Sequence, residues 1–256
     1  MPLQHWPGRL WVVRHGESSG NVAREAARLG GLTHIDIGAG RDVDVPLSPL
    51  GREQSGALGR WFAALPPDER PEIPLASPYL RALETARLIA LEGGLAPDAC
   101  PLVADERLRE KEFGILDRLT GEGIRRLHPE QAELRSSLGK FYHRPPGGES
   151  WCDVILRLRS SLDSIALHHA GARVLVVAHQ VVVLCLRYLI EDMTEAEVLA
   201  VDREADVANC GVTEYAFDPA LGRRGALRLV RHNFVAPMLR EGTPVTAAPD
   251  VPAGAR

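Results

Sequence analysis

Two short runs of continuous apolar residues stand out along the chain: Leu10-Trp11-Val12-Val13 and Val174-Leu175-Val176-Val177-Ala178. Both are rich in β-branched side chains and lack polar alternation, the pattern of strands buried on both faces of a parallel sheet. Between them lies a shorter apolar stretch, Ile73-Pro74-Leu75-Ala76. Helical signals surround these runs. Ser48-Pro49 predicts an N-cap and first helical position for a helix carrying Leu50, Leu58, Trp61, Phe62 and Leu65 and ending at Pro66-Pro67. Ser77-Pro78 repeats the device and predicts a helix from Pro78 to about Leu91. After Ser150, the residues Trp151, Val154, Ile155, Leu158, Leu162 and Ile165 recur at three- and four-residue steps, one stripe of an amphipathic helix. Thr194 and Glu197 form a capping box for a further short helix. Val212 to Phe217 and Ala226 to Val230, joined through Asp218-Pro219 and Gly222, predict a late hairpin.

Strands alternating with helices predict an α/β fold: a three-layer α/β/α sandwich around a mostly parallel, doubly wound sheet, with an antiparallel edge strand. Residues 1–236 are expected to form a single domain, with no internal repeat. Two irregular segments, about 22–45 and 114–149, read as insertions and as lid candidates. The second carries a helical pattern around Thr120 to Leu138. From Pro237 onward, prolines stand among alanines and glycines, and 237–256 is expected to be a disordered tail.

Composition narrows the function. With 256 residues, 45% hydrophobic and 25% charged, the chain has ample core and is not disordered as a whole. Thirty basic against 34 acidic residues give a net charge of −4, which argues against nucleic acid as a partner. The four cysteines, Cys100, Cys152, Cys185 and Cys210, are too far apart for a C-x-x-C pair and read as reduced thiols. The most apolar stretch, Val174 to Leu186, falls short of the roughly 18 residues that span a bilayer. Met1 to Arg9 has no leader-like pattern, so a cytoplasmic location without membrane contact is expected. Oligomeric state is left open.

The polar residues that follow the strands carry the chemistry. Arg14-His15-Gly16-Glu17 and His179-Gln180 each end a predicted buried strand, at the sheet edge where open α/β sheets bind ligands. Arg81 falls in the first turn of a predicted helix, beside backbone N–H groups and the positive end of the dipole. Two imidazoles and two guanidiniums converging on one edge suit a phosphoryl group, which carries about −1.5 to −2 charges at neutral pH. His168-His169, at a helix end, suits the negative dipole terminus instead. The remaining histidines show no metal-ligand spacing.

Several motifs together resemble the histidine phosphatase superfamily in its phosphoglycerate mutase-like branch. They are Arg14-His15-Gly16-Glu17 with Asn21; Pro46-Leu47-Ser48 with Gly51 and Gln54; and Ser77-Pro78 with Arg81, Ala82, Thr85 and Ala86. Leu108-Arg109-Glu110 with Gly114, Gly147-Gly148-Glu149-Ser150, and His179 complete the set. The resemblance implies that His15 is the nucleophile that becomes phosphorylated. It implies that Arg14, Arg81 and His179, with Asn21 and Gln180, bind the phosphoryl oxygens, and that Glu110 is the proton donor. It implies no metal and no organic cofactor. Glu112 is the in-register competitor for the acid, and the family spacing to Gly114 selects Glu110. A carboxyl that must donate a proton calls for a raised pKa, through burial or the phosphoryl dianion. The family's usual His-Gly is His179-Gln180 here, as in some sugar-bisphosphatase members, and the 22–45 segment has no counterpart in the compact mutases. Tyr142 and Arg144 are substrate-rim candidates; the competing reading is a packed aromatic and a solvated arginine.

The expected activity is metal-independent hydrolysis of a small phosphate monoester through phosphohistidine. The alternatives are a mutase that retains the phosphoryl group on His15, a non-catalytic phospho-ligand receptor, and a phosphatase acting on phosphoprotein through an open, shallow site.

Overall fold

A computed structural model describes residues 5–95 and 101–247. The strands are β1 (Arg9–Arg14), β2 (Ile73–Ala76), β3 (Val103–Ala104), β4 (Arg173–Ala178), β5 (Val212–Asp218) and β6 (Ala226–Phe234). The helices are α1 (Ser19–Leu29), α2 (Pro49–Ala63), α3 (Leu80–Glu92), α4 (Gly121–Leu127), α5 (Pro129–Tyr142), α6 (Trp151–His168), α7 (Gln180–Ile190), α8 (Glu195–Glu204) and α9 (Ala236–Arg240).

Period-two alternation along the central strands divides the interior into two cores. Leu10, Val12, Leu75, Val174 and Val176 face α6, α7 and α8. Trp11, Val13, Ala76, Leu175 and Val177 face α2, α3 and Met238 of α9. One sheet between two helix layers is the predicted sandwich. Its order is β3-β2-β4-β1-β5-β6, with β3, β2, β4 and β1 parallel. β5 runs antiparallel to both β1 and β6, so the late hairpin forms the expected antiparallel edge.

Sequence signals hold best where a cap or an amphipathic stripe marks the element. Ser48, Ser150 and Thr194 cap α2, α6 and α8, each accepting a bond from a first-turn backbone N–H. Ser77 does not cap α3. That helix starts at Leu80, and its N-cap, Tyr79, makes no side-chain capping bond. In the sequence α7 shows only as an apolar run, because Val181 to Leu186 are buried on every side and have no polar face.

The two insertions pack on each other. In the first, Ile35, Ile37 and Val45 bury a small core against Ala27 of α1. Thr120 in the second donates to the carbonyl of Leu32 at 2.6 Å, and Ile35 N–H donates to the carbonyl of Arg118 at 2.8 Å. A Cβ on Gly123 would lie 2.0 Å from the Thr33 carbonyl oxygen, so the contact requires glycine there. α5 is broken at Gly139, which adopts φ 80° and ψ 160°.

The expected disordered tail is ordered as far as residue 247. Met238 fills the α2–α3 core. Beyond it, the backbone N–H of Asn209 donates to the carbonyl of Thr246 at 2.8 Å, and the Thr246 hydroxyl donates to Asn209 Oδ1 at 3.1 Å. Gln54 Nε2 donates to the Pro244 carbonyl at 2.9 Å and to the Thr246 hydroxyl at 3.0 Å. Local composition missed this strap because its partners lie far away in sequence. Residues 248–256 of the expected tail, Cys100, and Met1 to Gln4 of the N-terminal reading lie outside the described residues. Among the described residues, no helix is long and apolar enough to cross a membrane.

Ending the chain at Gly242 removes these four bonds. The expected cost is on the order of 2 to 4 kcal/mol by urea denaturation, whereas a chain ending at residue 247 keeps its stability.

Candidate active site

In-register parallel pairing places the two histidines together. Arg14 lies opposite Ala178 in the β1–β4 ladder, so His15 and His179 are the next residues out on adjacent strands. Their ring centroids are 5.1 Å apart, edge to face, and both rings are fully buried. His15 Nδ1 lies 2.7 Å from the Gly16 carbonyl oxygen. A carbonyl can only accept, so in the neutral ring Nδ1 holds the proton and Nε2 holds the lone pair.

The loop that carries His15 is fixed from four directions. His15 N–H donates to the Ala178 carbonyl at 2.9 Å, and the N–H of Cys210 donates to the carbonyls of Arg14 and His15 at 3.0 and 3.3 Å. Asn209 Nδ2 donates to the His15 carbonyl at 3.0 Å. Gly16 N–H donates to the Thr85 hydroxyl at 3.0 Å, and Glu17 N–H to Gln54 Oε1 at 2.9 Å. α2 presses close beneath: a Cβ on Gly51 would lie 1.9 Å from the Glu17 carbonyl oxygen, and one on Gly16 would lie 2.5 Å from that of Gly51. The two motif glycines therefore let helix and loop touch backbone to backbone.

His179 is held by Ser77, whose hydroxyl lies 2.8 Å from Nε2. This explains the Ser77-Pro78 motif better than a helix cap does. The Tyr79 ring stands 5.1 Å from the His179 ring, and the Arg81 guanidinium lies 4.9 Å from the centroid of the same phenol ring. Tyr79 donates its hydroxyl to Glu112 Oε1 at 3.0 Å. Burial and the Glu112 charge raise the Tyr79 pKa, so the phenol stays protonated.

The two acid candidates part here. Glu112 is exposed and holds Tyr79, whereas Glu110 is only 2% exposed, with Oε2 3.9 Å from His179 Nδ1. Glu110 Oε1 accepts from the N–H of Lys111 at 2.7 Å. The stretch before it is braced by Arg157 of α6, which donates to the carbonyls of Arg107 and Glu110 and pairs with Glu149 at 2.9 Å. Glu149 also pairs with Arg109. Desolvation raises the Glu149 carboxyl, but the bonds and charges of Arg157 and Arg109 outweigh it and hold its pKa low. Arg157 and the buried role of Glu149 were not legible in the sequence; the only signal was Gly147-Gly148-Glu149-Ser150 just before a helix.

The other predicted residues lie as follows. Arg14 is fully buried and donates through Nη1 to the Val207 carbonyl at 2.5 Å. Asn21 accepts from Ser18 N–H at 3.0 Å, closing a capping box on α1. Arg81 is buried and forked onto Asp42 of the first insertion, Nη2 to Oδ2 at 2.9 Å and Nη1 to the Asp42 carbonyl at 2.8 Å. Gln180 donates to Asp206 at 3.0 Å. Tyr142 is 55% exposed, and Arg144 pairs with Asp153 on α6, so Arg144 is an exposed ion-pair partner. Helices α3 and α7 begin just after β2 and β4, so their positive dipole ends face the edge that carries His15 and His179. Among the described residues, no group of three or more His, Cys, Asp or Glu side chains could hold a metal ion.

This constellation is that of the histidine phosphatases, and residues 10–224 match the histidine phosphatase superfamily (branch 1). The chain belongs to that superfamily. It is 31% identical over 206 residues to the 6-phosphofructo-2-kinase/fructose-2,6-bisphosphatase of Caenorhabditis elegans, covering 79% of this chain and 38% of that protein. It is 34% identical over 172 residues to the 2,3-bisphosphoglycerate-dependent phosphoglycerate mutase 2 of Gloeobacter violaceus, covering 66% and 69%. The chain thus spans under half of the first relative and about two thirds of the second. In fold it is similar to a mycobacterial glucosyl-3-phosphoglycerate phosphatase solved with inorganic phosphate, at a TM-score of 0.66 and 24% identity over 90% of this chain and 98% of that one.

Gly51→Ala is expected to destabilise the protein by about 1 to 3 kcal/mol in chemical denaturation. Because it pushes on the His15 loop, it should also lower kcat/KM of the folded fraction by about tenfold or more in a phosphate-release assay.

Proposed function

We propose that the protein is a metal-independent phosphatase that hydrolyses a small phosphate monoester through a phosphohistidine on His15. The observation that carries this reading is the pair of buried histidines 5.1 Å apart with a buried carboxyl beside the second. Two buried imidazoles at the ends of β1 and β4 and a buried carboxyl from the stretch after Leu108 fit a nucleophile, an anion ligand and an acid.

The steps follow from the geometry. His15 Nε2 presents its lone pair to phosphorus, and the P–N bond forms as the bond to the ester oxygen breaks. Glu110, in its acid form, gives its proton to the leaving oxygen and becomes a carboxylate. Water then attacks phosphorus, Glu110 takes the water's proton, and Nε2 leaves, restoring both groups. Arg14, Arg81 and His179 bind the non-bridging oxygens, and the charge they supply takes the place that a metal ion holds in other phosphoryl-transfer sites. Asn21 and Gln180 act more remotely in this reading, through the caps and bonds that fix the loops on either side. A mutase would use the same first step and return the phosphoryl group to a bound acceptor instead of water. The receptor reading is disfavoured because His15, Glu110, Arg14, Arg81 and His179, the residues to which this reading gives the roles of nucleophile, acid and anion ligands, are all kept. The substrate-rim assignment of Tyr142 and Arg144 requires Arg144 to exchange Asp153 for a substrate group.

In EDTA, the protein is expected to release inorganic phosphate from a panel of sugar phosphates, phosphoglycerates and an aryl phosphate. His15→Ala should abolish release, and Glu110→Gln should lower kcat by about 10² to 10⁴. Interconversion of phosphoglycerates without phosphate release would instead establish the mutase.

Asp42 holds the guanidinium that a phosphoryl group would need. Asp42→Asn, which removes the competing charge, is expected to tighten inhibition by inorganic phosphate by about tenfold, measured as Ki against the aryl phosphate.

A further inference from the structure

Away from the two histidines, the strongest unused feature is a concentration of positive charge. A cavity of about 530 Å³ opens between α4, α5 and α8, a volume that suits a small organic molecule. Its wall carries Arg125, Arg135, Lys140 and Arg203 and one carboxylate, Asp202; Lys140 pairs with Asp202, and Arg125 pairs with Glu122 of α4 at 2.9 Å. Among the described residues, no carboxylate lies within 4.0 Å of the guanidinium of Arg135 or of Arg203.

The charge continues inward. Lys111 is 6% exposed, and its ammonium sits 4.6 Å over the Phe113 ring. Burial brings the Lys111 pKa down to about 8, and the charge of Arg135 is the next cause. Burial also lowers Arg135, and His143 is lowered by burial and then by the charges of Arg135 and Lys111. Arg135, half-buried in the cavity wall, thus supplies a charge that both Lys111 and His143 feel, and the carboxylate it feels in turn is Asp202, already paired with Lys140. Several like charges that share one carboxylate in the cavity wall are unfavourable, and an anion beside Arg135 and Arg203 would offset that repulsion.

We propose that this cavity is a second anion site, which takes a phosphate or carboxylate group of a small organic molecule on Arg135 and Arg203. It is separate from the catalytic constellation: none of His15, Arg14, Arg81, Glu110 or His179 lines it. Lys111, the residue next to Glu110, does not line the cavity but feels the charge of Arg135. The anion has two possible sources: the far end of the molecule whose phosphoryl group reaches His15, or a separate molecule.

The test is calorimetric titration of the full chain at low salt with citrate, a tricarboxylate with no phosphoryl group to transfer. Saturable binding that weakens about tenfold in Arg135→Gln and in Arg203→Gln, and is kept in Arg203→Lys, is the expected result. Circular dichroism checks that each variant is folded. Binding that neither glutamine variant alters, or no saturable binding up to about 10 mM citrate, overturns the proposal. Inhibition of aryl phosphate hydrolysis then identifies the source. Competitive inhibition by citrate assigns the cavity to the substrate's own distal anion, and noncompetitive inhibition assigns it to a separate molecule. The titration reads binding alone, so citrate binding that depends on Arg135 in a protein without phosphate release would defeat the phosphatase reading and leave this one standing.

Discussion

The site depends on the parallel, in-register pairing of β1 with β4. Register in a buried sheet is strongly specified, because a slip of one residue would turn every apolar side chain to the opposite face. Here, Leu10, Val12, Val174 and Val176 fill one core and Trp11, Val13, Leu175 and Val177 the other, so neither strand is free to slide. The same register that seals the cores sets Arg14 opposite Ala178 and brings His15 beside His179. The pairing of the two histidines is thus inherited from apolar packing on two faces, and the contacts of Ser77 and Asn209 then fix each residue in place.

Holding charged groups in that dry edge requires support, and the structure supplies it through backbone and polar bracing. Arg14 rests on the Val207 carbonyl, Arg81 on Asp42, and the Glu110 stretch on Arg157. Each brace comes from a segment distant in sequence, including the strap at 243–247 that fixes Asn209 and Gln54 behind the His15 loop. Pre-organised side chains of this kind serve phosphoryl transfer well, since its transition state is stabilised by charge placed in advance.

What was legible in the sequence follows from this division. β1, β4, α2, α6, α8 and the late hairpin carry local signals: continuous apolar runs, serine and threonine caps, and a three- and four-residue stripe. His15 and His179 were legible as the residues that follow β1 and β4, and Arg81 from its place in the first turn of a predicted helix, whereas Glu110 was singled out only by the family resemblance. Asp42, Ser77 as the partner of His179, Arg157, and the ordered tail were not. Each acts through a contact across the fold, and no local pattern records that contact. α1 overlaps the segment that reads as irregular for a different reason: its buried face is made of small residues, Ala23 and Ala27, among charged ones, so no run of large apolar side chains marks it.

The account's central claim is that the phosphoryl group passes through Nε2 of His15. It is tested most directly by mixing the protein with a phosphate ester labelled in its phosphoryl group, quenching in base, where phosphohistidine survives, and mapping the label by peptide mass spectrometry and phosphorus NMR. The account predicts label on Nε2 of His15 and none in the His15→Ala protein. Label on Nδ1 or on His179, or turnover with no labelled histidine, would contradict it.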